Sequence, residues 1–288
     1  MSYAIDRLTR MWIVLVPAFL LTLVLGMLTE AVDPRQISIA ADNEYSLAAF
    51  IGNLLGLQGM AVPRFGGNFS LWSLSNEMWY YALFPLVLLP FMNKSRFTKI
   101  AGVVITAVIL FQLLPDLVLY FPIWLLGAAF SRVQIDLLRA LRFLLILMLL
   151  ALAVYLRLSG SIGTLVAATF PEDLLFSLLF LCLLSSLQFP ADRTRLGNRI
   201  GIAAGILAPF SFTLYVVHYP LLNLVSSLAA LSGTYQLSAC NPRALVPYLV
   251  LFSGVVLFSY MFHLPFEAQT YRLRRVLKRL ILPPAPRP

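Results

Sequence analysis

Long stretches of this chain run without a charged side chain, among them Met11 to Leu28, Leu117 to Phe130, Phe143 to Leu156, Leu174 to Pro190 and Ile200 to Pro242. About 20 apolar residues in a helix cross the hydrocarbon core of a bilayer. Water cannot satisfy backbone groups there, so only helices and closed barrels span it. A barrel would show alternation over segments of about ten residues, and these runs do not alternate. Composition agrees. Of the 288 residues 60% are hydrophobic and 11% charged, against about 25% charged in a soluble domain. The expected fold is an all-α, polytopic transmembrane helix bundle.

Eight candidate spans follow, near 11–30, 69–92, 100–115, 117–131, 143–158, 174–190, 207–230 and 245–265. Residues 1–270 form the transmembrane domain, and 271–288 a basic, Pro-rich cytoplasmic tail. Lys and Arg concentrate in cytoplasmic loops. With the N-terminus inside, seventeen of the 21 basic residues fall inside, leaving Arg35, Arg64, Arg157 and Arg243 outside. That pattern predicts both termini in the cytoplasm. It also accounts for the net charge of +9 without nucleic acid, and the tail cations can rest on anionic headgroups. Cys182 and Cys240 imply no disulfide framework, and no Cys/His cluster has metal-ligand spacing.

Ionisable groups inside spans are costly and usually functional. Glu77 lies in Leu71-Trp72-Ser73-Leu74-Ser75-Asn76-Glu77-Met78-Trp79-Tyr80-Tyr81. Helical spacing puts Ser70, Ser73, Tyr80 and Tyr81 on its side and turns Trp72 and Trp79 away. If the helix starts near Leu71 at the outer surface, Glu77 lies about 9 Å below that end. A carboxylate among hydroxyls and Asn76 can orient a sugar or another catalytic group; the alternative is an interfacial Glu in an aromatic belt. His218 lies deeper, with Ser211 and Tyr215 on its face. It suits general acid–base work or a structural bond to Tyr215 or a carbonyl. Pro220 cannot donate to the carbonyl of Val216, which leaves that oxygen for another partner. Arg7 and Arg10, three residues apart, present one cationic face; they suit a phosphate or simple anchoring. His263, Pro265 and Glu267 read as interfacial. The loop from Ala31 to Phe69 reads as an outer connection with a surface helix over 46–60, long enough to cover a site beside Glu77.

Several of these segments resemble one family. Trp72-Ser73-Leu74-Ser75-Asn76-Glu77 with Tyr80, Tyr81 and Pro85 is similar to the W-S-L-S-x-E segment of the acyltransferase-3 membrane O-acyltransferases, which include O-antigen and exopolysaccharide acetylases. Ser211 to Pro220 resembles that family's S-Y-x-L-Y-L-x-H-x-P helix, and Arg7-Leu8-Thr9-Arg10 its R-x-x-R loop. Phe266-Glu267 resembles its closing E-x-P, with Ala268 and Gln269 in place of the proline. The resemblance implies acyl-CoA, chiefly acetyl-CoA, as donor substrate, with no tightly bound cofactor. It implies transfer to a hydroxyl of an envelope carbohydrate, in the bacterial inner membrane. Arg7 and Arg10 become candidate ligands of the CoA phosphates and Glu77 and His218 candidate catalytic groups, with Trp72, Ser73, Asn76, Tyr80 and Tyr215 around the substrates. It further implies two helices ahead of Arg7, the first with an arginine and, eleven positions on, the histidine that activates the acceptor. Read as written, the chain is expected to lack these, and this form to insert without transferring. A transporter or flippase, or a non-catalytic paralogue, stands as the alternative.

Overall fold

The computed structural model describes residues 2–32, 43–92, 94–158, 167–188, 195–231 and 245–282. Cys240, Arg35, Arg193, Arg243 and the Pro-rich end lie outside them. Among the described residues the chain is all-α, with one isolated bridge between Gln58 and Val62. The helices are α1 (Ser2–Val32), α2 (Leu47–Leu54), α3 (Leu71–Leu88), α4 (Arg96–Gln112), α5 (Pro115–Phe130), α6 (Arg139–Leu158), α7 (Phe170–Ser186), α8 (Arg195–Leu207), α9 (Ser211–Leu231), α10 (Leu245–His263) and α11 (Thr270–Ile281). A helix meets each of the eight expected spans. Among the described residues, four stretches are by length and composition sufficient to cross a membrane: Ser2–Ala31, Arg139–Leu158, Gly201–Ala229 and Leu245–Ile281.

The chain forms two compact units. One comprises Met1–Tyr81 with Ile202–Pro288, the other Ala82–Gly201. In the second unit α5 and α6 both pack on α7. Tyr120 donates to the Asp173 carboxylate at 2.5 Å, tying α5 to the start of α7.

The first unit is built around α1, which packs on α9 and α11. Ile5, Met11, Val14, Leu15, Ala18, Phe19 and Leu25 form a buried stripe at helical spacing. The opposite face, Leu8, Trp12, Val16, Leu20, Val24 and Met27, is exposed and equally apolar. A helix apolar all round is buried or spans a membrane, and here the exposed face has lipid as its solvent. Thr9, Thr22 and Thr29 sit in the buried stripe and donate back to the carbonyls of Ile5, Ala18 and Leu25. Three hydroxyls thereby pack among apolar side chains without an unmet donor.

The segment after α1 departs from the sequence expectation. Its described part, 43–70, is no cover lying over an outer surface. It folds back along α1 into the core. Tyr45 lies against Gly26, Phe50 and Phe65 pack on Phe19, and the carbonyl of Leu54 accepts from the Trp12 indole at 2.9 Å. From residue 26 to residue 12 of α1 is about 21 Å of helix. Irregular backbone at such depth must have its polar groups met by protein, and here side-chain amides meet them. Asn53 donates to the carbonyls of Ala49 and Pro63 and accepts from the Phe65 amide. Gln58 donates to the carbonyl of Leu71 at 2.9 Å. Ser75 and Trp79 both donate to the carbonyl of Gly56, at 2.6 and 2.9 Å. The expected surface helix over 46–60 shrinks to the eight residues of α2, N-capped by Ser46. Gly66 has φ +61°, and a Cβ there would collide with Thr22 Cγ2; only glycine fits this close left-handed turn.

A candidate acyl-transfer site in the first unit

α3 begins inside the core rather than at a surface, which relocates Glu77. Asn68, just before α3, donates its side-chain amide to the carbonyl of Val216 at 2.9 Å. This is the carbonyl that Pro220 leaves unpaired within α9. The other end of the Asn68 amide accepts from the Ser70 N–H at 3.1 Å. The start of α3 is thereby fixed to the second turn of α9, and its residues advance toward the N-terminal end of α1.

Two turns into α3, Glu77 meets Tyr81, whose hydroxyl donates to the carboxylate Oε1. The guanidinium of Arg7 lies over the Tyr81 ring, 4.7 Å from its centroid, and 5.3 Å from that of Tyr3. The sequence reading put Glu77 near the outer end of its helix and Arg7 in the cytoplasm. The structure instead gathers Arg7, Tyr81 and Glu77 into one cluster. Arg7 is half-buried and Arg10 exposed.

One turn before Glu77, Ser73 reaches across to α9. Tyr215 donates to the carbonyl of Ser70 at 2.7 Å, which commits its only proton. The 2.5 Å contact between Ser73 Oγ and the Tyr215 oxygen therefore has Ser73 as donor. Trp72 and Asn76 are half-buried and Tyr80 is buried, and Trp79 turns away to Gly56.

One turn beyond Tyr215, the Nδ1 of His218 contacts the carbonyls of Leu214 and Tyr215 at 3.1 and 2.9 Å. Carbonyls only accept, so Nδ1 carries a proton, and in the neutral ring Nε2 holds the lone pair. The structural reading of His218 thus accounts for one ring nitrogen and the functional reading keeps the other. His218, Tyr215 and Ser211 share one wall of a cavity of about 410 Å³ between α9 and α10, otherwise lined by residues such as Leu222, Leu251, Phe252 and Val255. Two polar sets result: Arg7, Tyr81 and Glu77 toward the start of α1, and Ser73 with Tyr215 on α3 and α9, one turn of α9 before His218 and the apolar cavity.

The residues read as interfacial are structural. Glu267 accepts from the amide and the hydroxyl of Thr213 at 3.0 and 2.6 Å, meeting free donors in the first turn of α9. His263 is buried and contacts the carbonyl of Tyr260 at 2.6 Å. Asn68 and Gln58 escaped the sequence reading. Pro220 did signal that the Val216 carbonyl needed a donor, although not which one.

Apolar helices that pack around a carboxylate, an imidazole and several hydroxyls fit a membrane protein with a partly buried polar site. The chain belongs to the acyltransferase-3 family, whose model, described as an acyltransferase domain, matches residues 1–264. No curated protein and no solved structure gives a match.

Proposed function

We propose that this protein is a multi-pass O-acyltransferase of the bacterial cytoplasmic membrane that moves an acyl group, in the simplest case acetyl, from acyl-CoA to a hydroxyl of an envelope glycan. Family membership supports acyl transfer. The single observation that carries the site assignment is the Arg7–Tyr81–Glu77 cluster, in which one tyrosine joins a cation suited to phosphate to a half-buried carboxylate. In this reading Arg7 and Arg10 hold the CoA phosphates. Nε2 of His218 takes the proton as the acceptor hydroxyl attacks the thioester carbonyl. The C–S bond breaks as the ester C–O bond forms, and the CoA thiolate takes up a proton. Glu77, steadied by Tyr81, orients a substrate hydroxyl. Trp72, Ser73, Asn76, Tyr80 and Tyr215 shape the surroundings.

Eight spans with both termini in the cytoplasm fit the distribution of Lys and Arg. They also agree with the pairing of Asp6, near the start of α1, with Arg274 and Lys278 of the tail helix. The test uses membranes carrying the full-length gene product, incubated with acetyl-CoA labelled in the acetyl group. Label should appear in the glycan fraction and require the protein. Glycan uptake without labelling would instead support a transporter.

A further inference from the structure

α11 has its cations and its apolar residues on opposite sides. At 100° per residue, Leu273, Val276, Leu277, Leu280 and Ile281 fall on one arc and all five cations on the other. The apolar arc is not packed away, since Val276 is 50% and Leu280 76% exposed.

The cations divide into two sets. Arg274 and Lys278 turn to Asp6 of α1, at 3.1 and 2.8 Å, and Arg274 also reaches the Asp6 main-chain carbonyl at 3.4 Å. Arg272, Arg275 and Arg279 are exposed, with Arg275 over the ring of Tyr271 at 4.6 Å. α10 belongs to a stretch long and apolar enough to cross a membrane, and α11 starts seven residues after its end at His263. The bilayer surface is therefore within reach, and the Asp6 pair holds the helix beside α1 there.

We infer that α11 lies in the bilayer interface and binds anionic phospholipid headgroups through Arg272, Arg275 and Arg279, its apolar arc resting at the acyl boundary and Asp6 anchoring it to α1. An amphipathic helix with a basic polar face binds such surfaces by area and charge together. A lipid surface meets both exposed faces at once, whereas water meets only the cations. Each basic residue near an anionic surface adds about fivefold to the binding constant.

The test compares the purified full-length protein in nanodiscs of phosphatidylcholine alone with nanodiscs of phosphatidylcholine and phosphatidylglycerol in equal parts. The readout is hydrogen exchange of the amides of Thr270–Ile281. The anionic lipid should slow exchange in this helix by about tenfold or more, with no comparable change in α9. R272Q/R275Q/R279Q should lose the difference. In wild-type protein, high salt should also remove it, which tests the charge term without a substitution. Equal exchange in the two lipids would overturn the proposal. So would equal slowing by inorganic phosphate or CoA in phosphatidylcholine alone, since that would make α11 a site for free phosphate.

Discussion

The side-chain amide of Asn68 donates to the main-chain carbonyl of Val216 at 2.9 Å, and the need for that bond is created four residues on by Pro220. In an unbroken helix the N–H of residue 220 would bond the carbonyl of residue 216. Proline has no N–H, and the deficit is filled from 148 residues away. The bond ties the irregular segment before α3 to the helix that carries Tyr215 and His218. Asn68→Ala should lower stability in detergent by about 1–3 kcal/mol, the cost of a buried carbonyl left unmet. Adding Pro220→Ala restores a local donor and should recover part of the loss. Thermal unfolding of the two single variants and the double variant checks this. Additive losses would mean the two residues are not coupled.

The donor end of the site gives a second prediction. Arg7→Ala should weaken acyl-CoA binding by about 1.5–3 kcal/mol, the range for a charged hydrogen bond. Arg96→Ala, at the start of α4, should have little effect. Tyr81→Phe keeps the ring under Arg7 and removes the hydroxyl from Glu77. It should spare acyl-CoA affinity and lower turnover. Titration of acyl-CoA against each variant, alongside turnover, separates the two roles. Equal affinity in Arg7→Ala and Arg96→Ala would reduce Arg7 to an anchor.

Much of this architecture is legible in the sequence because the bilayer imposes a length on each helix. Uncharged runs mark α5, α6 and α7 to within about four residues of their ends, whereas the run from Ile200 to Pro242 extends well past both ends of α9. α1 starts earlier than its apolar run, at Ser2, because Asp6, Arg7 and Arg10 continue the helix past the lipid boundary. The segment over 43–70 was not legible. Its irregular backbone holds its place through Asn53, Gln58 and Asn68, and each amide answers a carbonyl or N–H that is near only once the chain has folded. The same ignorance misplaced Glu77. Counting from the start of a span gives a depth only if the helix starts at a surface, and α3 starts against Val216. The facing of Tyr81 and Ser73 was recoverable, since both follow from helical spacing relative to Glu77.

Topology offers a third prediction. With eight spans and both termini inside, reporter fusions after residue 190 and after residue 288 should read cytoplasmic, and a fusion near residue 40 external. An external reading at residue 288 would break the agreement between the charge distribution and the Asp6 pair with α11.

The central claim is that Glu77 and His218 serve acyl transfer rather than holding helices together. Glu77→Gln keeps a group able to occupy the same volume, and His218→Ala removes the ring from the α9–α10 cavity. The most direct measurement is transfer of labelled acetyl from acetyl-CoA to glycan by membranes carrying the full-length gene product, for wild type and each variant, with thermal unfolding of the same preparations. The account predicts a loss of about 10²–10⁴-fold in transfer in both variants, with membrane insertion and unfolding temperature close to wild type. Wild-type transfer in both variants, or activity lost only in step with stability, would contradict it.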